Sequence, residues 1–215
     1  SSIDTWTDLS GNAYNATQNV VGYQPTYSNS SGTVSGNALY FSGDHFNVTP
    51  FPVENNYTEG ELFIIIKTSE TRQGHFHFWG NSGQNGHLPW SNGYIYEPFG
   101  RNSRFAFLPS ISLSNYFIYN LTAASAAHSV RINGGLEHTA TGGSVQWGHS
   151  NVIGKSREGG FHGYIQELLF FKAVLSESDR KKVNYYLSKK WDLTSVVDSD
   201  GDGTVDSSDT TPVGI

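Results

Sequence analysis

The chain has 215 residues, with 13 lysines and arginines, 19 aspartates and glutamates, and no cysteine or methionine. This length suits one domain with a substantial core, and 36% hydrophobic residues, including many aromatics, exclude a disordered chain. No lysine or arginine precedes Lys67, so the dense basic footprint of a nucleic-acid binder is missing. Without cysteine there is no disulfide scaffold and no cysteine-ligated zinc site, and the apolar run at 62–66 is too short to insert into a membrane.

Short apolar segments separated by glycine-rich turns predict strands along most of the chain. Residues 38–41 and 45–48 flank a turn and predict a hairpin, and 61–67 is apolar on both faces, which is typical of a central strand. Residues 75–79 end at a Gly/Asn/Ser turn, and 161–172 is the longest predicted strand. The predicted fold is all-β, a two-sheet antiparallel jelly-roll sandwich with one C-terminal amphipathic helix.

The helix is predicted after Ser176, which can cap it, with Asp179 completing a capping box. Val183, Leu187 and Trp191 then fall on one face. Basic residues occupy the rest of the surface, namely Arg180, Lys181, Lys182, Lys189 and Lys190. We interpret this basic cluster as the solvated side of a packed helix rather than a polyanion site.

The composition changes after the helix, which divides the chain into a sandwich domain at 1–193 and a segment at 194–215 without aromatics. Five of the 19 acids lie in this segment, so the rest of the chain is nearly neutral. Counted from Asp198, these acids match positions 1, 3, 5, 9 and 12 of the calcium-loop template. Gly203 falls at position 6, and Thr204 at position 7 can offer its carbonyl oxygen. The predicted Ca²⁺ ligands are Asp198, Asp200, Asp202, Thr204, Asp206 and Asp209. Asp209 replaces the usual glutamate, and a solvated acidic linker is the alternative.

The run from 198 to 209 resembles the thrombospondin type 3 repeat, which is related to dockerin loops. Residues 1–193 resemble the laminin-G-like (concanavalin A-like) jelly-roll domains of bacterial surface and secreted proteins. The runs that carry this resemblance are 3–12, 15–18, 24–27, 38–43, 87–96, 163–167 and 186–193. It implies a module of a larger multidomain chain, secreted or at the bacterial cell surface, that recognises carbohydrate, mediates adhesion or acts as a spacer.

One part of the family pattern is missing at the start of the chain. Family members have an apolar first strand before the motif that contains Trp6, and this sequence starts after it. We therefore expect an unpaired strand edge, or a strand position that another segment fills.

Sugar recognition needs exposed aromatic faces with amides or carboxylates beside them. Aromatic residues in or beside Gly/Asn/Ser-rich loops, together with one asparagine, form the predicted ligand-binding set: Trp79, Trp90, Tyr94, Tyr96, Trp147 and Asn92. The alternative for each aromatic residue is that it packs in the core or seals a loop.

Catalytic patterns are absent from the sequence. Concanavalin-like hydrolases carry acids at alternate strand positions, but Glu167 stands alone on its strand, and no Gly-x-Ser-x-Gly elbow occurs. His75 and His77 could ligate a metal, with His87 in a nearby loop, although ordinary hydrogen-bonded histidines are the simpler interpretation.

The sequence therefore predicts a non-catalytic extracellular module within a larger bacterial adhesin or secreted protein. Carbohydrate is the expected partner, and a surface protein ligand is the other possibility. The alternative function is a structural spacer, or a module for protein or peptide interaction, whose junction calcium stiffens.

Overall fold

The computed structural model describes residues 1–30, 34–48, 57–68, 86–101, 103–125, 127–142, 145, 147, 152–156 and 159–214. These residues contain a helix, α1 (Glu177–Lys190), and the strands β1 (Thr5–Trp6), β2 (Ala16–Thr17), β3 (Thr26–Asn29), β4 (Asn37–Ser42), β5 (Phe46–Val48), β6 (Glu59–Thr68), β7 (Ile95–Glu97), β8 (Phe105–Phe107), β9 (Phe117–Ala124), β10 (Ala127–Ile132), β11 (Gly135–Thr141), β12 (Val152–Ile153) and β13 (His162–Phe171). The strand predicted at 75–79 lies outside the described residues.

Strand β6 is the centre of a seven-stranded sheet with the order β11-β10-β9-β6-β13-β4-β3. It pairs antiparallel with β9 on one side and with β13 on the other, and residues 62–66 are completely buried. Leu62, Ile64 and Ile66 face the core between the two layers, whereas Phe63 and Ile65 pack toward α1. The prediction of a central strand covered on both faces is confirmed.

The opposite layer consists of a four-stranded sheet, β1-β2-β5-β12, and the two-stranded pair β7-β8. Side chains of both layers meet in one large hydrophobic core, which includes Phe41, Phe46 and Phe117. The predicted all-β jelly-roll sandwich is confirmed.

The predicted hairpin at 38–48 is wrong, although both of its strands exist. β4 pairs with β3 and β13 in the large sheet, whereas β5 pairs with β2 and β12 in the small one. The turn therefore crosses the sandwich, and Gly43 accommodates it with a φ of 87°. Phe41 and Phe46 then meet inside the core, with ring centroids 6.1 Å apart.

Helix α1 covers the outer face of the seven-stranded sheet. It begins at the predicted N-cap, where Asp179 N donates to Ser176 Oγ at 3.1 Å. The Asp179 carboxylate accepts from the Ser176 hydroxyl at 2.8 Å and not from Ser176 N, so the predicted capping box is only half formed. Leu187 and Trp191 are buried in a second hydrophobic cluster, and Val183 packs against it. The predicted amphipathic helix is confirmed.

Arg180 does not belong to the solvated face on which the sequence placed it. Its Nε donates to Glu61 Oε1 at 2.7 Å, and its Nη2 donates to Glu61 Oε2 at 3.2 Å. The Glu61 side chain is completely buried in the central strand, so it needs a cation there. The sequence could not show this because the two residues are far apart in the chain.

Strand β13 is paired along its full length on only one side. β6 pairs with it from Gly163 to Phe171, but β4 pairs with it only from His162 to Ile165. Beyond Ile165, no strand of the described residues pairs with β13 on the β4 side. The first residues of the chain lie at the sheet edge instead, where Ser2 forms a bridge with Thr26.

Candidate functional site

Four predicted ligand-binding residues lie together around strand β7. We call this surface the aromatic hairpin and define it by His87, Trp90, Asn92, Tyr94 and Tyr96. A tight turn sets its shape, because Trp90 N donates to Tyr94 O at 2.8 Å and Gly93 N donates to Trp90 O at 2.9 Å. His87 and Tyr96 exchange two backbone hydrogen bonds of 2.9 and 3.0 Å, which hold the two arms together.

The side chains of the aromatic hairpin support one another. The His87 ring lies 4.3 Å from the Trp90 ring and 5.6 Å from the Tyr96 ring. Asn92 Nδ2 donates to the Tyr96 hydroxyl at 3.0 Å, and Asn92 Oδ1 accepts from Tyr94 N. These contacts fix the orientation of the rings before any ligand arrives.

The outer face of the hairpin remains accessible. Tyr94 is 41% exposed and Asn92 is exposed, whereas Trp90 and Tyr96 are half-buried. The Arg104 guanidinium lies over the Tyr96 ring at 4.6 Å, close enough for a cation–π interaction. This surface therefore combines flat aromatic groups with an amide and a guanidinium.

The inner face of β7 is anchored by a buried carboxyl group. Glu97 Oε1 accepts from Phe99 N at 2.8 Å, and Glu97 Oε2 accepts from the Tyr119 hydroxyl at 2.8 Å. Burial raises the pKa of Glu97 to about 7, and it also raises the pKa of Tyr119 above its ordinary value. Because both oxygens are engaged below the sheet surface, we assign Glu97 to the support of the hairpin. No motif in the sequence points to Glu97.

Trp147 is placed in a different environment. Its ring packs 5.3 Å from Phe99 and 5.9 Å from Phe170, and its Nε1 donates to Tyr57 O at 2.7 Å. These contacts favour the alternative that Trp147 seals the core. The predicted site residue Trp79 lies outside the described residues, as do His75 and His77.

Glu167, which stands alone on its strand in the sequence, uses both carboxylate oxygens in hydrogen bonds to the end of α1. It accepts from Lys190 Nζ at 2.8 Å, and its other oxygen accepts from Trp191 Nε1. Glu167 therefore joins β13 to the end of α1.

Three predicted calcium ligands converge. Carboxylate oxygens of Asp198, Asp200 and Asp202 lie within 4.8 Å of one another. Gly201 N and Gly203 N donate to the two oxygens of Asp198 at 2.7 and 2.9 Å, and both glycines have positive φ. Three hard oxygen donors around one point fit the chemistry of Ca²⁺.

The remaining predicted ligands make other contacts. Buried Asp206 accepts from Ser199 N and Ser199 Oγ, each at 2.8 Å, and from Ser188 Oγ of α1. Asp209 Oδ1 accepts from Thr211 N at 2.7 Å, and Thr204 N donates to Asp202 Oδ1 at 2.7 Å. In this arrangement Asp206 anchors the loop to the helix, a contact that loop spacing does not reveal.

A groove of about 660 Å³ opens along the unpaired edge of β13. Its walls come from β1 and the loop after it, from the small sheet and from the end of α1. The aromatic hairpin does not contribute to its lining. The groove is therefore separate from the predicted ligand-binding surface.

Comparison with solved structures shows a shared fold at low identity. The chain is similar to a mutant of Trypanosoma rangeli sialidase that displays trans-sialidase activity, with a TM-score of 0.58 and 16% identity over 88% of this chain and 32% of that chain. It is also similar to this sialidase in complex with sialic acid, with a TM-score of 0.53 and 14% identity over 88% of this chain and 32% of that one.

A third similar structure is the binding domain of Botulinum neurotoxin DC in complex with rat synaptotagmin II. The TM-score is 0.52, with 15% identity over 88% of this chain and 52% of that chain. The chain therefore spans about a third of the sialidase chains and about half of the toxin domain. No family model matches it, and no curated protein matches it. Among the described helices, none is long and apolar enough to cross a membrane.

Proposed function

We propose that this chain is a non-catalytic recognition module that binds carbohydrate through the aromatic hairpin. The observation that carries this proposal is the preorganised, partly exposed set of Trp90, Asn92, Tyr94 and Tyr96. We place the module in a larger secreted or cell-surface protein of bacteria, as the sequence resemblance implies.

The hairpin offers the two kinds of contact that a sugar needs. The C–H face of a pyranose ring can stack on Tyr94 or Trp90, because an apolar ring face suits an aromatic surface. The Asn92 amide and the Arg104 guanidinium can then orient hydroxyl or carboxylate groups at the ring edge. Protein recognition is the second candidate function, because the neurotoxin domain of similar fold was solved in complex with a protein.

Glycan-array screening of the chain and three variants tests this proposal. We expect Trp90→Ala and Tyr94→Ala to lower the signal on enriched glycans about tenfold, since each removes an aromatic contact. Tyr27→Ala is the matched control, because Tyr27 is similarly exposed (45%) but lies on β3. Absence of any enriched glycan, or equal binding by Trp90→Ala and the unmodified chain, would contradict the proposal.

We also propose that Asp198, Asp200 and Asp202 bind Ca²⁺, with the Thr204 carbonyl as a further ligand and Asp209 as the ligand predicted at position 12. Three neighbouring carboxylates repel one another, and a divalent cation removes this repulsion. Asp206 would hold the loop against α1 through Ser188 and Ser199. Calcium would then stiffen the junction between the sandwich and a following domain.

Calorimetric titration with CaCl₂ tests the metal site separately from sugar binding. We expect the chain to release or absorb heat with a one-site saturation curve, and the double variant Asp200→Ala/Asp202→Ala to lose it. Asp192→Asn serves as the control, because it removes an exposed carboxylate just before this segment. Identical heats for the chain and the double variant would eliminate the site and favour the acidic-linker alternative.

A further inference from the structure

A buried arginine without an acidic partner lies between β7 and β8. Arg101 is 8% exposed, and its Nε and Nη1 atoms are buried without a hydrogen-bond partner among the described residues. None of the ion pairs between described residues includes it. A guanidinium stays charged in proteins, and a buried charge without a partner is strongly unfavourable. Arg101 therefore offers a positive charge and hydrogen-bond donors to an anion.

His128 on β10 is the neighbour of this arginine, and we call the two residues the cationic pair. His128 is 3% exposed and lies on the strand face of Val130 and Ile132, toward the core between the layers. Of the described residues, none hydrogen-bonds to either ring nitrogen, and a backbone group of Gly100 faces the ring outside hydrogen-bond geometry. Burial and the charge of Arg101 lower the pKa of His128 to about 4. The ring is therefore neutral at pH 7 and keeps one N–H donor.

The described carboxylates on the neighbouring elements make other contacts. Glu97, at the end of β7, accepts from Phe99 N and from the Tyr119 hydroxyl. Glu137 on β11 accepts from Ser110 N at 3.1 Å and from the Ser110 hydroxyl. Neither acid forms an ion pair with the cationic pair. This arrangement favours an anion from solution over an acidic side chain of the described residues.

The surroundings of the cationic pair are apolar and closely packed. The Arg101 guanidinium lies 5.7 Å from the centre of the Phe105 ring. A Cβ added to Gly100 would lie 2.6 Å from the Ala123 Cβ and 3.2 Å from the Trp147 ring. The cost of removing an anion from water rises steeply with its charge, so apolar walls disfavour a divalent anion. The site is therefore suited to a small monovalent anion.

We infer that Arg101 and His128 form a binding site for a small carboxylate. The carboxylate oxygens accept from the Arg101 guanidinium and from the His128 N–H, and the negative charge balances that of the arginine. A carboxylate suits this site better than a halide ion does, because its two oxygens match the planar donors of a guanidinium. The site lies beside Phe105, which packs against the core between the layers. The inference therefore goes beyond carbohydrate recognition by the aromatic hairpin and does not depend on it.

NMR titration of the ¹⁵N-labelled chain with sodium acetate tests the inference, with acetate replacing chloride at constant ionic strength. We expect the Arg101 Nε–H signal, identified by its loss in Arg101→Met, to shift saturably, because this group gains a charged acceptor. His128→Leu should weaken acetate binding about tenfold or more, the effect of one hydrogen bond to a charged group. The exposed Lys189→Gln is the control and should leave the affinity unchanged. Absence of a saturable shift would overturn the inference, as would equal affinity for sulfate.

Thermal unfolding shows whether the buried charge needs an anion. Without carboxylate, Arg101→Met should unfold at a midpoint no lower than that of the unmodified chain, because methionine keeps an unbranched side chain but removes the charge. Acetate at about ten times its Kd should raise the midpoint of the unmodified chain and of Lys189→Gln by about 3–6 °C. It should not raise that of Arg101→Met. Equal rises for the unmodified chain and Arg101→Met would reveal a general salt effect and overturn the inference.

A free small acid and the acid group of a larger sugar could both supply the carboxylate, and titration with sodium glucuronate distinguishes them. Because Gly100, Ala123 and Trp147 pack closely, we expect glucuronate to bind more weakly than acetate. Tighter binding of glucuronate at the Arg101 signal would support the carboxylate site and identify a sugar acid as its ligand. If both anions shifted only amides of the aromatic hairpin, the inference would be overturned without affecting the carbohydrate proposal.

Discussion

Individual buried side chains decide how this protein responds to pH, and Glu97 is the clearest case. Its carboxyl lies under the aromatic hairpin and is held by Phe99 N and Tyr119. Because burial penalises the charged form, the pKa of Glu97 rises from 4.5 to about 7. The folded state therefore binds a proton more tightly than the unfolded state, and stability from this group is lost as pH rises from 4.5 to 7.

Glu97→Gln imitates the protonated carboxyl and should remove this dependence. Relative to the variant, the unmodified chain should lose on the order of 3 kcal/mol of unfolding free energy between pH 4.5 and 7, and no more above pH 7. Urea unfolding across this range measures the difference. Parallel pH profiles for the two proteins would contradict the assignment.

The shifted pKa of His128 changes the stability with pH in the opposite direction from that of Glu97. The test therefore compares the unmodified chain with Glu97→Gln and uses only the difference between their pH profiles. Burial and the neighbouring Arg101 lower the pKa of His128 to about 4. Its contribution to stability is therefore lost as pH falls from 6.5 toward 4. This effect is common to the unmodified chain and Glu97→Gln, and it cancels in the comparison.

At the scale of elements, the acidic segment is attached to the sandwich by backbone contacts. Asp198 N donates to Asn133 O at 3.0 Å in the turn between β10 and β11, and Val197 is completely buried beside Leu187. A side chain at Gly134 would lie 1.8 Å from the Asp198 carbonyl oxygen. The absence of a side chain at Gly134 allows this approach.

Gly134→Ala should therefore separate the calcium loop from β10 and β11. The matched control is Gly142→Ala, because Gly142 also has a positive φ (78°) but has nothing within 4 Å of an added Cβ. We expect the control to cost about 1–2 kcal/mol from backbone strain, and Gly134→Ala to cost about 2 kcal/mol more. Thermal and urea unfolding measure both. Equal destabilisation would show that the close approach contributes nothing.

The elements that could be predicted from the sequence are those determined by residues close together in the chain. Residues 62–66 form a central strand because they are apolar on both faces, and the helix begins at the predicted N-cap, Ser176. The convergence of Asp198, Asp200 and Asp202 also follows from short-range spacing. In each case the residues that determine the structure are close neighbours in the chain.

The features that sequence missed depend on partners far away in the chain. β4 and β5 follow each other but belong to different sheets, since their pairing is decided by β13 and β12. Arg180 leaves the solvated face because Glu61 is buried, and Asp206 turns toward Ser188 instead of the other acids. Periodicity and loop spacing carry no information about such partners.

For the molecule as a whole, the central claim is that the aromatic hairpin is the sugar-binding surface. NMR titration of the ¹⁵N-labelled chain with an oligosaccharide enriched on the array tests it most directly. We predict that the largest amide shift changes fall at residues 87–97 and around Arg104, and that they vanish in Trp90→Ala. Changes centred on the groove at 166–172 would contradict the claim, as would uniformly small changes at saturating sugar.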